Sequence, residues 1–117
     1  MDKQEAKIFI SNKYNELLNG VCNITVAGSS YIFIGGTDIV SGLSFAKQVA
    51  IIKGLSTAIF KDGIGIHSIP LAEFDLLIAS LILRGDALWS IKINKYSQID
   101  LASTEEELIA IVESAWV

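Results

Sequence analysis

The sequence predicts an α+β fold: two β-hairpins forming a small antiparallel sheet packed against a long central helix, with helices at both termini. Three observations predict it. Apolar residues recur at helical spacing near both ends of the chain. Residues 21–34 and 56–69 instead alternate as strands do, and glycine-bearing turns break them. Between Pro70 and Tyr96 lies a long segment whose middle, Leu76-Leu77-Ile78-Ala79-Ser80-Leu81-Ile82-Leu83, is apolar on nearly every side.

In chain order, Asp2 to Asn19 reads as an amphipathic helix with Ala6, Phe9, Ile10, Tyr14, Leu17 and Leu18 on one stripe. Asn19-Gly20 stops it, with Gly20 free to adopt the left-handed conformation that ends helices. The stripe either lies on the domain's own core or forms a seam with another chain. Residues 1–19 are therefore set apart as an oligomerisation or docking element, and residues 20–117 as a single α+β domain.

Ile24 and Val26 alternate with Asn23 and Thr25, and Gly28 supplies the positive φ of a hairpin turn. The returning strand, Tyr31-Ile32-Phe33-Ile34, is apolar throughout and is expected to be covered on both faces. Gly35-Gly36 ends it, and a helix from Asp38 to Lys53 follows with Thr37 or Asp38 as N-cap. Strand, glycines and helix resemble a phosphate-cradling loop, yet neither G-x-G-x-x-G nor a P-loop lysine is present. Gly42, Ala46 and Ala50 form a stripe of small residues in this helix. A helical glycine costs up to about 1 kcal/mol against alanine, so the missing side chain should make room for something. The expected neighbour is the long helix, with a symmetry mate as second choice.

In the second hairpin Asp62-Gly63 is the turn signal. A two-residue loop would pair Ile59 with Ile66 and Phe60 with Gly65. Ile59, Ile64 and Ile66 would then face the core, with Ala58, Phe60 and His67 on the other face. Pro70 opens the long helix, where its fixed φ and missing N–H are tolerated. Ser97 to Ala102 is a break. A capping box, Ser103/Glu106 or Thr104/Glu107, then starts a terminal helix whose apolar face is Leu108, Ile111, Val112, Ala115 and Trp116.

At 117 residues, half of them hydrophobic, the chain is large enough to bury a core without disulfides or a structural metal. Nine basic residues against thirteen acidic ones, without a basic cluster, argue against nucleic acid and anionic membrane as partners. The apolar run of the long helix is shorter than the ~20 residues of a membrane span. No signal-peptide pattern opens the chain, so synthesis in the cytoplasm is expected. One cysteine, Cys22, and one histidine, His67, do not make a structural zinc set. A Cys22–His67 dyad would need an accessible, electropositive thiol, and a cysteine inside a strand is instead expected to be buried and structural. No catalytic, cofactor or metal residues are assigned. The chain is expected not to be an enzyme; the alternative is a small-ligand-binding protein or enzyme using the Cys22/His67 region.

From Leu17 to Trp116 the order of these pieces resembles the small domain of unknown function found in bacteriophage tail-fibre and tail-fibre-assembly proteins. The resemblance begins at Ile24-Thr25-Val26-Ala27-Gly28-Ser29-Ser30-Tyr31-Ile32-Phe33 and passes through Thr37-Asp38. It is most telling at Ala58-Ile59-Phe60-Lys61-Asp62-Gly63 and His67-Ser68-Ile69-Pro70-Leu71-Ala72-Glu73-Phe74. Leu88-Trp89 and Ala102-Ser103-Thr104-Glu105-Glu106-Glu107-Leu108 complete it. The long helix here is richer in leucine and isoleucine than is usual in that family. The resemblance implies a non-enzymatic protein associated with the tail fibre, as a virion component or as a chaperone for fibre folding and assembly. Its expected partner is a phage tail-fibre protein, in a homo- or hetero-oligomer, and its expected location is the virion tail after synthesis in the host cytoplasm. Phe9, Ile10, Tyr14, Leu17, Leu18, Gly42, Ala46 and Ala50 are the candidate partner-binding residues.

Overall fold

The order of elements in the computed structural model is α1 (Lys3–Leu18), β1 (Val21–Val26), β2 (Ser29–Ile34), α2 (Thr37–Ile52), β3 (Thr57–Lys61), β4 (Ile66–Pro70), α3 (Leu71–Leu101) and α4 (Glu105–Glu113). The structure describes residues 1–117 apart from the side chain of Thr37. The α+β class is as the sequence predicts. Among the described residues no helix is long and apolar enough to cross a membrane.

The chain falls into two units. One comprises residues 19–84, and the other joins residues 1–18 to residues 85–117. The first helix, within the segment that the sequence reading sets apart, shares a unit with residues 85–117. Its Ala6 and Ile10 are buried with Ile99, Ala102 and Leu108 in one apolar cluster. Burial of Ile99 also explains why α3 runs to Leu101 instead of breaking at Ser97: a tertiary contact outweighs the weaker helix propensity of Ser97. In the same unit Lys95 is buried, and its ammonium donates to the carbonyls of Ile111 and Ser114 and to the Ser114 hydroxyl. It thereby serves the end of α4, and burial pushes its pKa down. Thr104 is the N-cap of α4: its hydroxyl accepts from Glu107 N, while the Glu107 carboxylate accepts from Ser103 N. Gly20 is not among the residues with positive φ, so α1 ends without the left-handed glycine expected for it.

Residues 19–84 hold both hairpins, α2 and the first half of α3. In β1, Cys22, Ile24 and Val26 face inward. They meet Tyr31 and Phe33 of β2, Leu43 and Ala50 of α2, Ala58, Phe60 and Ile69 of the second hairpin, and Phe74, Leu77 and Leu81 of α3. Only one face of β2 is covered, since Ile34 is exposed. The expectation of double coverage fails there, and the apolar middle of α3 is not covered on every side either, since Leu76, Ile82 and Leu83 are exposed. α2 begins after a cap position at Gly36, without a side-chain cap bond among the described residues. The proposed capping hydroxyl of Thr37 lies outside the described residues. α2 ends in a Schellman motif: Gly54 N donates to Ile51 O and Leu55 N to Ala50 O, with Gly54 at φ +71°.

The hairpins form two separate two-stranded ladders, not the single sheet expected. In the first, Val26 pairs with Ser29 across Ala27-Gly28. In the second, Phe60 pairs with His67 and Lys61 with Ile66, leaving a four-residue loop in place of the expected two-residue turn. The side-chain grouping of this hairpin is as predicted but its orientation is inverted. Ala58 and Phe60 are buried, whereas Ile59, Ile64 and Ile66 are exposed. Phe60 decides this, because it packs on the rings of Tyr31, Phe33 and Phe74. Pro70 closes β4 opposite Thr57, at a position whose missing N–H is tolerated on an edge.

Candidate functional site

Asp62 is the side chain around which the second hairpin turns. Its carboxylate is fully buried. Oδ1 accepts from Ile64 N at 2.8 Å, from Gly65 N at 2.9 Å and from His67 Nε2 at 2.8 Å. The bonds to Ile64 and Gly65 are those of an Asx turn, in which a side chain replaces backbone turn geometry. Oδ2 accepts from Ile32 N of β2 at 2.8 Å, and Gly63 N donates to Ile32 O at 2.7 Å. Asp62 and Gly63 thus stitch the two hairpins together through Ile32. Burial alone would push the Asp62 carboxyl up. The donors Gly65, Ile32, His67 and Ile64 together hold it well below the usual carboxylate range.

Since an ionised carboxylate only accepts, His67 Nε2 must carry the proton it shares with Asp62. The His67 ring sits edge-on to Tyr31, with centroids 4.9 Å apart, and tilted against Phe60 at 5.2 Å. Cys22 is a free, buried thiol whose pKa is pushed up by burial. No hydrogen bond joins it to His67 among the described residues. Nor do His, Cys, Asp and Glu side chains cluster there in a way that would hold a metal ion.

Beside the stitch opens a cleft of about 490 Å³. Ile32, Phe33 and Ile34 of β2 line one wall, Ile59 to Gly63 the other, and Ile39, Gly42, Leu43 and Ala46 of α2 the rest. The lining is mostly apolar, and the volume is in the range of ligand-holding clefts. Consecutive residues of β2 and β3 line it. Its walls are therefore strand edges and not strand faces, which would contribute alternate residues.

No family model, curated protein or solved structure matches this chain.

The candidate partner-binding residues fall into three groups. Ile10 is buried inside its own unit and Ala50 inside the other. Phe9 is exposed, Leu17 is half-buried, Tyr14 packs edge-on to Trp89 at 5.9 Å, and the Leu18 side chain lies near Gly85. Gly42 and Ala46 line the cleft. The close helix contact expected at the Gly42/Ala46/Ala50 stripe is not found among the described residues: α2 packs on β3, and none of them lies within 4 Å of where a Gly42 Cβ would stand. Asp62 was read from the sequence only as a turn residue. The signal that could have raised it is His67 five positions on, placed to reach back across the loop.

Proposed function

We propose that this chain is a non-enzymatic, protein-binding protein of the phage tail-fibre-associated kind, acting on a fibre polypeptide as a virion component or as a folding chaperone. The observation that carries the binding part of this reading is the cleft: apolar, walled by strand edges, and with the exposed side chains of Ile34 and Ile59 in its lining. Contiguous exposed apolar surface of this kind marks interaction sites. The order of sequence motifs described above supports the fibre as partner. The alternative, chemistry at Cys22 and His67, is less well supported, because the thiol is buried and raised in pKa while Asp62 engages the imidazole.

The test is co-expression with a phage tail-fibre polypeptide, followed by size-exclusion chromatography with light scattering. A complex of fixed stoichiometry is expected. A chain that elutes alone in the presence of soluble fibre polypeptide would overturn the reading. Mass spectrometry of purified particles then separates the two roles, since a virion component stays with the particle and a chaperone does not.

A further inference from the structure

We propose that the cleft between β2 and β3 accepts an extended segment of a partner polypeptide as an added β-strand, and that this segment carries apolar side chains and a carboxylate that meets Lys61. The proposal names the kind of segment bound, and it rests on the protein-binding reading above for the partner's identity.

Backbone parity gives the first argument. Opposed residues of an antiparallel ladder alternate between bonded pairs and pairs whose N–H and C=O point outward. Ile32 points outward from its ladder, since Asp62 and Gly63 take its amide and carbonyl. Two residues on, Ile34 must point outward too. In the second hairpin Asp62 N bonds Gly65 O, and Leu71 N bonds Ser56 O. These fix 58/69 and 60/67 as bonded pairs, leaving Ile59 and Lys61 of β3 outward. Past the Ile32–Gly63 stitch, then, both walls of the cleft present outward backbone groups, from Ile34 on one side and from Ile59 and Lys61 on the other. No backbone bond joins β2 to β3 beyond that stitch among the described residues.

An added strand would satisfy both edges at once, which is how exposed edges recruit extended peptides. An acyl chain would fill the same apolar volume and leave those groups without partners, at a cost for each. The observations therefore favour a polypeptide.

Charge gives the second argument. Lys61 lines the cleft, is exposed, and makes no ion pair among the described residues. The carboxylate next to it, Asp62, is already committed to four donors. The cleft wall thus carries one unbalanced positive charge in apolar surroundings, complementary to an acidic residue on the incoming strand. Gly42 gives the space: its absent side chain leaves room at the wall formed by α2, which no described residue fills.

The probes are short blocked peptides alternating valine with threonine and bearing one glutamate. Their counterparts are N-methylated at alternate residues or carry lysine in place of glutamate, and decanoate serves as the acyl control. Binding to the full chain is read from backbone amide shifts in nitrogen-15 spectra. Saturable shifts are expected at Ile34, Ile59 and Lys61, with affinity falling about tenfold or more on N-methylation, the equivalent of one or two lost hydrogen bonds. Gly42→Leu adds a side chain where there is no clash and raises helix propensity, so it should melt no lower than the parent while losing the peptide. Lys61→Glu should reverse the preference between glutamate and lysine peptides.

Absence of shifts with every peptide would overturn the proposal, as would N-methylated peptides binding equally well, or decanoate binding as tightly as the peptides. Self-association of the parent that Gly42→Leu abolishes would also overturn it, in favour of pairing between copies of this chain. The peptide-side comparison stands even if a variant fails to fold. Peptide binding without a fibre complex would sink the fibre reading and leave the strand site standing. A fibre complex that Gly42→Leu leaves intact would do the reverse.

Discussion

The two hairpins reverse the chain by different means. In the first, backbone conformation does the work: Ala27 at φ +51° and Gly28 at φ +81° join Val26 to Ser29 in two residues. In the second, none of the loop residues has a positive φ, and the Asp62 carboxylate organises the four-residue loop through its bonds to Ile64, Gly65 and His67. A backbone turn is local and serves only its own ladder. A side-chain turn has acceptor capacity left over, and Asp62 uses it on Ile32 of the other hairpin. The second turn thus also fixes one end of the cleft. Its failure should be felt in both hairpins, whereas failure of the first should stay local.

The largest expected effect is therefore at Asp62. Asp62→Ala leaves three backbone amides and the His67 ring without their acceptor in a buried setting. The expected cost is about 3 kcal/mol or more, read from denaturant unfolding. The comparison sharpens if amide exchange accelerates in β2 as well as in the mutated loop. Protection lost only in residues 60–67 would break it.

The same carboxylate predicts an acid dependence. Its folded pKa is depressed, so its stabilisation is fully present above the unfolded aspartate value of about 3.9. It is lost as pH falls below that value toward the folded one. Asp62→Asn should be less stable than the parent at neutral pH, and the gap should narrow on acidification below about pH 4. Parallel stability curves over that range would contradict the assignment.

Next in size is Gly63→Ala. A Cβ at Gly63 would stand 3.3 Å from both the carbonyl oxygen and a methyl group of Ile32, so β2 and the loop would have to part. The expected cost is about 1–3 kcal/mol, as for other overpacking changes. Gly65→Ala, in the same loop with open space around it, is the control. Equal effects at the two positions would mean that the stitch contributes nothing specific.

The contrast also explains what was legible in the sequence. Alternation of Ile24 and Val26 with polar neighbours, followed by Gly28, is a local pattern, and its strand assignment survives in the structure. Asp62-Gly63 offers the same local signal and was read with the same two-residue turn. The carboxylate's long-range bonds are invisible to such a rule, and the register moved so that Ile59 faces Ser68. The core face is not legible for the same reason, because three isoleucines on one side outweigh Ala58 and Phe60 in the sequence pattern. In space, Phe60 meets three other aromatic rings and wins. The candidate site was half legible. The cost of Gly42 pointed to room left for something, but a cleft walled by strands from two hairpins cannot be read from one helix stripe. Ile10 was legible as part of an apolar face, not as part of a core shared with Ile99 and Leu108 from the far end of the sequence.

The smallest expected effect is at the first turn, and its sign is opposite. Two-residue turns with positive φ at both central positions favour asparagine followed by glycine, because asparagine tolerates the left-handed region better than alanine does. Ala27 occupies that region without such tolerance. Ala27→Asn should therefore stabilise the chain, by a few tenths to about 1 kcal/mol. Val26 to Ser29 pair directly across the turn, so the gain needs no rearrangement of the ladder. A thermal melt gives the magnitude, and amide exchange gives its location. If the turn is autonomous, the gain appears in unfolding of β1 and β2, while the amides of Ile64 and Gly65 keep the local opening rates they have in the parent. A loss of stability would show that Ala27 makes a contact worth more than its backbone strain. A change in the Asp62 loop would show that the two turns are coupled, and the division between a local backbone turn and a shared side-chain turn would have to be given up.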